Sequence, residues 1–499
     1  MKTFGKVEFG DFQTPLPLAQ AVCATLRRRG ITADNILEPT CGEGSLLLAA
    51  AEYFPNARLH GFEINEQHIV TARARLNAAG HTHRTRLQTA DFFSHEWESE
   101  LAPRDNLLVL GNPPWVTQAA VGVVAGRNLP GKSNLDGLRG IAAKTGKANF
   151  DIAEWILIRL LRALRGRTAT IAVLCKSATA RKVLRHAWRN DLRVSSASLH
   201  TIDTNAYFGV AVEACLFIVR LGQNGPEEAD LYRDLEAAAP LRQIGLAGQD
   251  LVSDLAAYRL LRGFEGLHPY QWRSGVKHDC ATVLELTRCR ANIYRNKLGQ
   301  EIELEPEVVY PWFKGTDLKN DAAITRFSLL LPQTYPGEDT ALRFLNAPHA
   351  LRYLQQHLPS FAARKSSIYN KRDQFAIFGV GEYSFASWKV ALSALHRQPR
   401  FVVVGPEGGR PILFDDTCYF IAMPSPQEAA IVAQILNSQL CQEFLATLTF
   451  PGAKRTVTVE LLQRLNLSAL AHAVGLEKEW MESRQQQALD QLELAVSEP

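Results

Sequence analysis

The chain has 499 residues, of which 46% are hydrophobic and 21% charged, with a formal net charge of +4. That length exceeds one ordinary core, so two or three domains of a soluble globular protein are expected, and the mildly basic balance permits a polyanionic partner without requiring one. No long apolar run suggests a signal peptide or membrane span, and the eight cysteines contain no C-x-x-C pair, so a cytoplasmic protein with reduced thiols and no required metal is expected.

In chain order, NILEP (35–39) reads as a strand running into a glycine-containing loop, and SLLLAAAEYF follows as a helix. ARLHGFEI (57–64) is a second strand, and NEQHIVTARARLNAAG a helix that stops at Gly80. RTRLQTADFF and NLLVLGNPPW are the third and fourth strands. After a stretch rich in Gly and Lys, FDIAEWILIRLLRAL has helical spacing, TATIAVLCKS reads as a fifth strand, and KVLRHAWRN lies in the next helix. VSSASLHTI and VEACLFIVRL complete the set. Alternation at this spacing implies a mostly parallel sheet with helices on both faces, where ligands bind beyond the carboxyl ends of the strands. The pattern weakens near residue 225, where GQNGPEEAD reads as a linker. Beyond it the mixture is irregular, with a helix near 341–357, short strands such as FVVVG and PILFDD, one or two helices over 425–448, and an amphipathic terminal segment with Leu476, Trp480, Leu489 and Leu492.

Four short elements recur at strand ends. In EPTCGEG, Glu38 and Pro39 end the first strand, and Cys41, Gly42 and Gly44 form a tight loop before a helix N-terminus. Glycines there let the backbone turn and approach a ligand, and the helix start offers free N–H groups. Glu63, ending the second strand, suits a pair of ribose hydroxyls. Asp91 and Phe92, after the third, suit an adenine amino group and base face. Each element alone is weak, because nicotinamide enzymes use similar turns and carboxylates. Their regular recurrence is the signal.

The fourth element, Asn112-Pro113-Pro114-Trp115, directly follows the apolar strand LLVL. The lone pair of an exocyclic aromatic amine is delocalised into its ring. A site that accepts hydrogen bonds from both amino protons favours attack on an activated methyl group. The Asn112 side-chain oxygen and the Pro113 carbonyl can supply those acceptors, and two prolines keep the loop extended. The Trp115 ring offers a stacking face for a base extruded from its duplex. An isolated N-P-P-W would be read as a proline turn with a buried tryptophan; behind three ligand-type elements it is not.

Together these motifs resemble the gamma (Taq-like) class of adenine-N6 DNA methyltransferases of restriction-modification and related defence systems. The resemblance implies a Rossmann-like class I α/β domain dependent on S-adenosyl-L-methionine, followed by an α+β target-recognition domain. It sets domains at 1–225 and 226–470, with a C-terminal helix over 471–499. GDFQTP (10–15) matches the family's N-terminal motif and would bring Thr14 and Pro15 near the methionine part of the cofactor. Trp115 stands where many members carry Tyr or Phe. The family's second stacking aromatic maps to Phe208, with Tyr207 as the alternative and a core aromatic equally compatible. In the C-terminal half the resemblance rests on YPWFKGTDL, GEYSFASWKV, FDDTCYF, ILNSQL and PGAKRTVT.

Double-stranded DNA is the expected partner, with a separate restriction endonuclease or defence subunit beside it. Arg364, Lys365, Lys371 and Arg372, and Lys454-Arg455, are candidate phosphate contacts, each also compatible with a solvated charged face. The loop 132–151 is long enough to close over a base and DNA, and Lys176 and Ser177 end the fifth strand near the same cleft. The alternatives are an RNA or protein-amide methyltransferase, a cytosine-N4 enzyme, and a non-catalytic DNA-binding subunit with a retained cofactor fold.

Overall fold

A computed structural model describes residues 13–102, 104–116, 151–267, 269–319, 325–450, 452 and 455–486. Gly10 to Phe12 of the N-terminal motif, most of the 132–151 loop, Lys454, Leu489 and Leu492 lie outside the described residues. The chain divides into two compact units, Met1–Ala256 and Ala257–Pro499.

The first unit is built on a ten-stranded sheet. Helix α1 (Leu16–Arg28) precedes β1 (Asn35–Glu38), α2 (Ser45–Tyr53), β2 (Arg58–Glu63), α3 (Glu66–Ala78), β3 (Thr85–Thr89), α4 (Trp97–Leu101) and β4 (Leu107–Gly111). Then come α5 (Ile152–Ala163), β5 (Ala169–Lys176), α6 (Ser177–Arg189), β6 (Val194–Ile202), α7 (Thr204–Phe208), β7 (Ala214–Leu221), β8 (Glu228–Tyr232), β9 (Arg242–Ala247) and β10 (Asp250–Val252). The spatial order is β10-β9-β8-β6-β7-β5-β4-β1-β2-β3. Strands β3, β2, β1, β4 and β5 run parallel, and β7 inserts antiparallel between β5 and β6.

All five residues of β4 are buried. Because side chains alternate across a sheet, continuous burial requires both faces to be covered. On one face Ile36, Leu108, Leu110, Ala172 and Leu174 pack with Leu18, Val22, Leu46 and Ala50 of α1 and α2. Helix α6 packs over β5, β6 and β7. Strand β8 begins within the GQNGPEEAD stretch, and β8 to β10 continue the same sheet, so residue 225 falls inside it. Helix α1 holds this extension: Arg28 donates to the Leu235 carbonyl at 2.7 Å, and the Arg29 guanidinium lies 3.8 Å above the Tyr232 ring.

The second unit is α+β, with a four-stranded and a six-stranded sheet. The first sheet is antiparallel; the second is antiparallel except for Val309–Phe313 beside Leu413–Phe414. Trp312, Phe344, Phe361 and Phe375 centre one core, and Phe313, Phe414 and Phe420 another. The expected helix over 341–357 is two, Thr340–Arg343 and Pro348–Gln356, because Pro348 starts a new first turn. The 425–448 pattern is also two helices, Pro426–Leu436 and Gln439–Leu448, and Ser438 caps the second by accepting from the Cys441 N–H at 3.3 Å. Trp480 is buried and donates from Nε1 to the Tyr270 hydroxyl at 2.9 Å, so this part of the terminal segment packs on its own unit.

Candidate active site

The carboxyl ends of five adjacent parallel strands bring the sequence elements together. Glu38 ends β1, Glu63 ends β2, Asp91 follows β3, Asn112 follows β4 and Lys176 ends β5. Neighbouring strands are about 4.8 Å apart, so residues scattered over the sequence line one edge.

The loop after β1 is shaped by its backbone. Gly42 and Gly44 have φ of 50° and 78°, the left-handed region that glycine adopts without a Cβ penalty. A Cβ on Gly42 would lie 2.4 Å from Gln13 Oε1, and one on Gly44 3.0 Å from Ala72 Cβ. Gln13 Oε1 accepts from the Glu43 N–H at 2.9 Å, which ties the N-terminal motif to the loop. Cys41 and Pro39 are buried and support the turn, and the Cys41 N–H donates to the Phe62 carbonyl at 2.8 Å.

Glu38 is 2% exposed, and its Oε2 has no hydrogen-bond partner among the described residues. Burial, then the charge of Glu63, pushes the Glu38 carboxyl well above the usual range, against a hydrogen bond from the Leu47 backbone. Glu63 accepts from the Gly42 N–H and the Asn65 N–H, both at 3.0 Å, which fixes its carboxylate beside the loop. Asp91 accepts from the Phe93 N–H at 2.9 Å.

Phe92 is 5% exposed, with its ring centroid 4.8 Å from that of Trp97, so most of its surface belongs to an aromatic core. Ile64, which the sequence reading passed over, is 51% exposed directly after Glu63. Its apolar side chain stands open to solvent at the end of β2. Gln13 was also passed over; its place inside the GDFQTP match was the available signal.

The segment after β4 forms the second half of the site. Asn112 Nδ2 donates to Thr14 Oγ1 at 3.1 Å, which orients the amide and joins two of the predicted motifs. The Pro15 carbonyl accepts from the Ala19 N–H at 3.0 Å and so opens α1. Pro113 is buried and Pro114 half-buried. Trp115 donates from Nε1 to the Leu174 carbonyl at 3.2 Å, which anchors the indole to β5. Its ring meets Phe208 edge-on, with centroids 5.5 Å apart at 68°. Phe208 is placed by a short helix. Asp203 caps α7 by accepting from the Asn205 and Ala206 N–H groups, each at 3.0 Å, and Gly209 ends it at φ 67°. Tyr207 packs against the core beneath. A cleft open to solvent lies between Asn112, Pro113, Trp115 and Phe208, with Lys176 and valines completing its lining. Ser177 is buried at the start of α6.

In the second unit, three stretches singled out by resemblance meet. The Gly315 N–H donates to Thr417 Oγ1 at 3.1 Å, the Asp415 N–H to the Phe313 carbonyl at 3.0 Å, and the Tyr383 ring lies 6.0 Å from that of Phe420. Of the candidate phosphate contacts, Lys365, Lys371 and Arg372 are exposed. Arg364 commits its guanidinium to the carbonyls of Ala376 (2.6 Å) and Gln374 (2.8 Å) and lies over the Tyr369 ring at 3.8 Å. Arg455 bonds the Tyr419 hydroxyl at 3.0 Å and approaches Asp416 at 3.6 Å. Among the described residues no cluster could hold a metal ion, and no helix is long and apolar enough to cross a membrane.

Residues 2–220 match the N-6 DNA Methylase family. The Type II methyltransferase M.NspV of Nostoc sp. (strain ATCC 29411 / PCC 7524) is 36% identical over 478 residues, covering 94% of this chain and 98% of that protein. The Type II methyltransferase M.BanIII of Aneurinibacillus aneurinilyticus is 21% identical over 506 residues, covering 86% of this chain and 83% of its own. Among solved structures, the Type IIL restriction-modification enzyme MmeI in complex with DNA aligns with a TM-score of 0.50 at 13% identity, covering 97% of this chain and 76% of that one. That likeness extends the shared fold across both units.

Proposed function

The chain belongs to the N-6 DNA methylase family, and from that premise we propose that it is a site-specific DNA methyltransferase that modifies the N6 amino group of an adenine rotated out of the duplex. One observation carries the reading: the Asn112 amide, oriented by Thr14, stands in a cleft walled by Trp115 and Phe208, at the same sheet edge as Glu38, Gly42 and Glu63.

The residues fit S-adenosyl-L-methionine. The unpartnered Oε2 of buried Glu38 suits a cationic group. Gly42 and Gly44 let the loop turn tightly with left-handed backbone, Gln13 and Ala72 packing where a Cβ would stand. Glu63 is aligned for a diol, and Ile64 with the Asp91–Phe92 turn suits an adenine ring. When bound, the cofactor supplies a methyl group activated by its sulfonium.

The protein's part is orientation and stacking. Asn112 Oδ1 and the Pro113 carbonyl are the proposed acceptors for the two amino protons, holding the nitrogen lone pair out of conjugation. Trp115 and Phe208, whose rings touch edge-on, are the proposed stacking surface for the base, with stacking worth roughly 1–3 kcal/mol. The second unit is the proposed target-recognition domain, and Lys365, Lys371, Arg372, Lys454 and Arg455 are its proposed phosphate contacts. A separate restriction endonuclease is the proposed partner in the cell.

The test is methyl transfer from labelled S-adenosyl-L-methionine to duplex DNA, RNA and protein, with the product digested to nucleosides. Label is expected in N6-methyladenine from DNA, with Asn112→Ala lowering the rate at least a hundredfold. Label in cytosine, RNA or protein would overturn the proposed substrate.

A further inference from the structure

The cleft beside Asn112 carries a second polar side chain that the reading above leaves without a role. Lys176 lines it together with Trp115 and Phe208, while the remaining walls are proline and valine. A lysine at the end of a buried strand, in a mostly apolar cleft, requires a reason.

Its surroundings are built. Lys176 Nζ lies 2.8 Å from Asp151 Oδ2, and the Asp151 side chain is 8% exposed. Asp151 also accepts from the Ala153 N–H at 3.2 Å, capping α5, and from Thr179 Oγ1 at 3.4 Å. The next residue, Ile152, donates its N–H to the Val116 carbonyl at 3.0 Å, so the carboxylate is tied to the strand end that carries Trp115. An ammonium has three donors and no acceptor. Among the described residues its partner is Asp151, which leaves further donors for a guest in the cleft.

We propose that Lys176, held by Asp151, is a specificity-determining residue that donates a hydrogen bond to a ring nitrogen of the target base. The proposal rests on the methyltransferase reading. Positive charge develops on the accepting amine during methyl transfer, and a lone cation nearby would oppose it. Pairing with Asp151 makes the local charge neutral, so the donor is present without that penalty. Being donor-only, Lys176 favours a base whose ring offers a bare nitrogen and disfavours one that presents a ring N–H at the same place.

The experiment compares wild type with Lys176→Met on oligonucleotide duplexes whose target adenine is replaced in turn by 1-deaza-, 3-deaza- and 7-deazaadenine. Wild-type methylation of the adenine duplex, lost in Asn112→Ala, is read first; failure there sinks the methyltransferase reading independently of Lys176. Lys176→Met is expected to lower kcat/KM roughly ten- to a hundredfold on adenine, the usual effect of losing a charged donor. Cofactor affinity should stay unchanged, and Lys176→Arg should restore part of the activity. The loss should vanish on one deaza substrate and persist on the other two. An equal loss on all three, or none on adenine, overturns the proposal. If Lys176→Met melts early, the double variant Lys176→Met/Asp151→Asn, which removes the buried charge together with its partner, is read in its place.

Discussion

Glu38 shows how one buried atom ties chemistry to pH. Its carboxyl is held above the usual range by burial and by Glu63, so the ligand-free protein keeps it protonated where a free carboxylate would be ionised. In that window the unfolded chain gives up its proton first, so raising the pH costs folding stability. A cationic partner reverses the preference and expels the proton. Affinity for S-adenosyl-L-methionine should therefore rise as the pH is raised above the ordinary carboxylate range, with proton release on binding. Calorimetric titration in buffers of different ionisation enthalpy would measure both. Glu38→Gln should flatten the slope and weaken binding about tenfold or more. An unchanged slope would remove Glu38 from the cofactor site.

At the scale of elements, the turn between β1 and α2 separates binding from folding. Gly44 is the residue before α2, and its added Cβ would press on Ala72 of α3, so two helices would have to part. Gly42 would instead push on the end of a flexible glutamine that holds the loop. Both pay for a left-handed backbone, about 1–2 kcal/mol. Gly44→Ala should thus show the larger fall in melting temperature, and Gly42→Ala the larger fall in cofactor affinity relative to its stability loss. Thermal melts beside cofactor titrations of the two variants give the comparison; the reverse ranking would mean that Gln13 does not organise the loop.

At the scale of the whole molecule, phosphate contacts and structural cations should respond differently to salt. Lys365, Lys371 and Arg372 are exposed, whereas Arg364 is bonded to backbone carbonyls. Replacing each of the first three by Ala should reduce the slope of log affinity for DNA against log salt by about one. Arg364→Ala should lower the melting temperature, since it removes the donor to the Ala376 and Gln374 carbonyls and the contact over the Tyr369 ring. Slopes unchanged in all three exposed variants would move the DNA surface elsewhere on the molecule.

The chain order of strands and helices, the carboxylates at strand ends and the NPPW element were legible because they depend on local properties: period-2 and period-3.6 burial, glycine at tight turns, proline-rigid loops. Four consecutive strand ends bearing ligand-type residues needed no tertiary information to be read as one site. Pairing across the sheet did. That β8 to β10 extend the first unit, that Phe92 turns into a core with Trp97 while Ile64 stays open, and that Arg364 braces carbonyls are outcomes of contacts between distant segments. The same holds for Thr14 orienting Asn112 across 98 positions, and for Asp151 holding Lys176 across 25. A sequence states which side chains can donate, accept or stack; only the packed sheet decides which of them face one another, because hydrogen bonds and burial are settled over a few ångströms of space, whatever the distance along the chain.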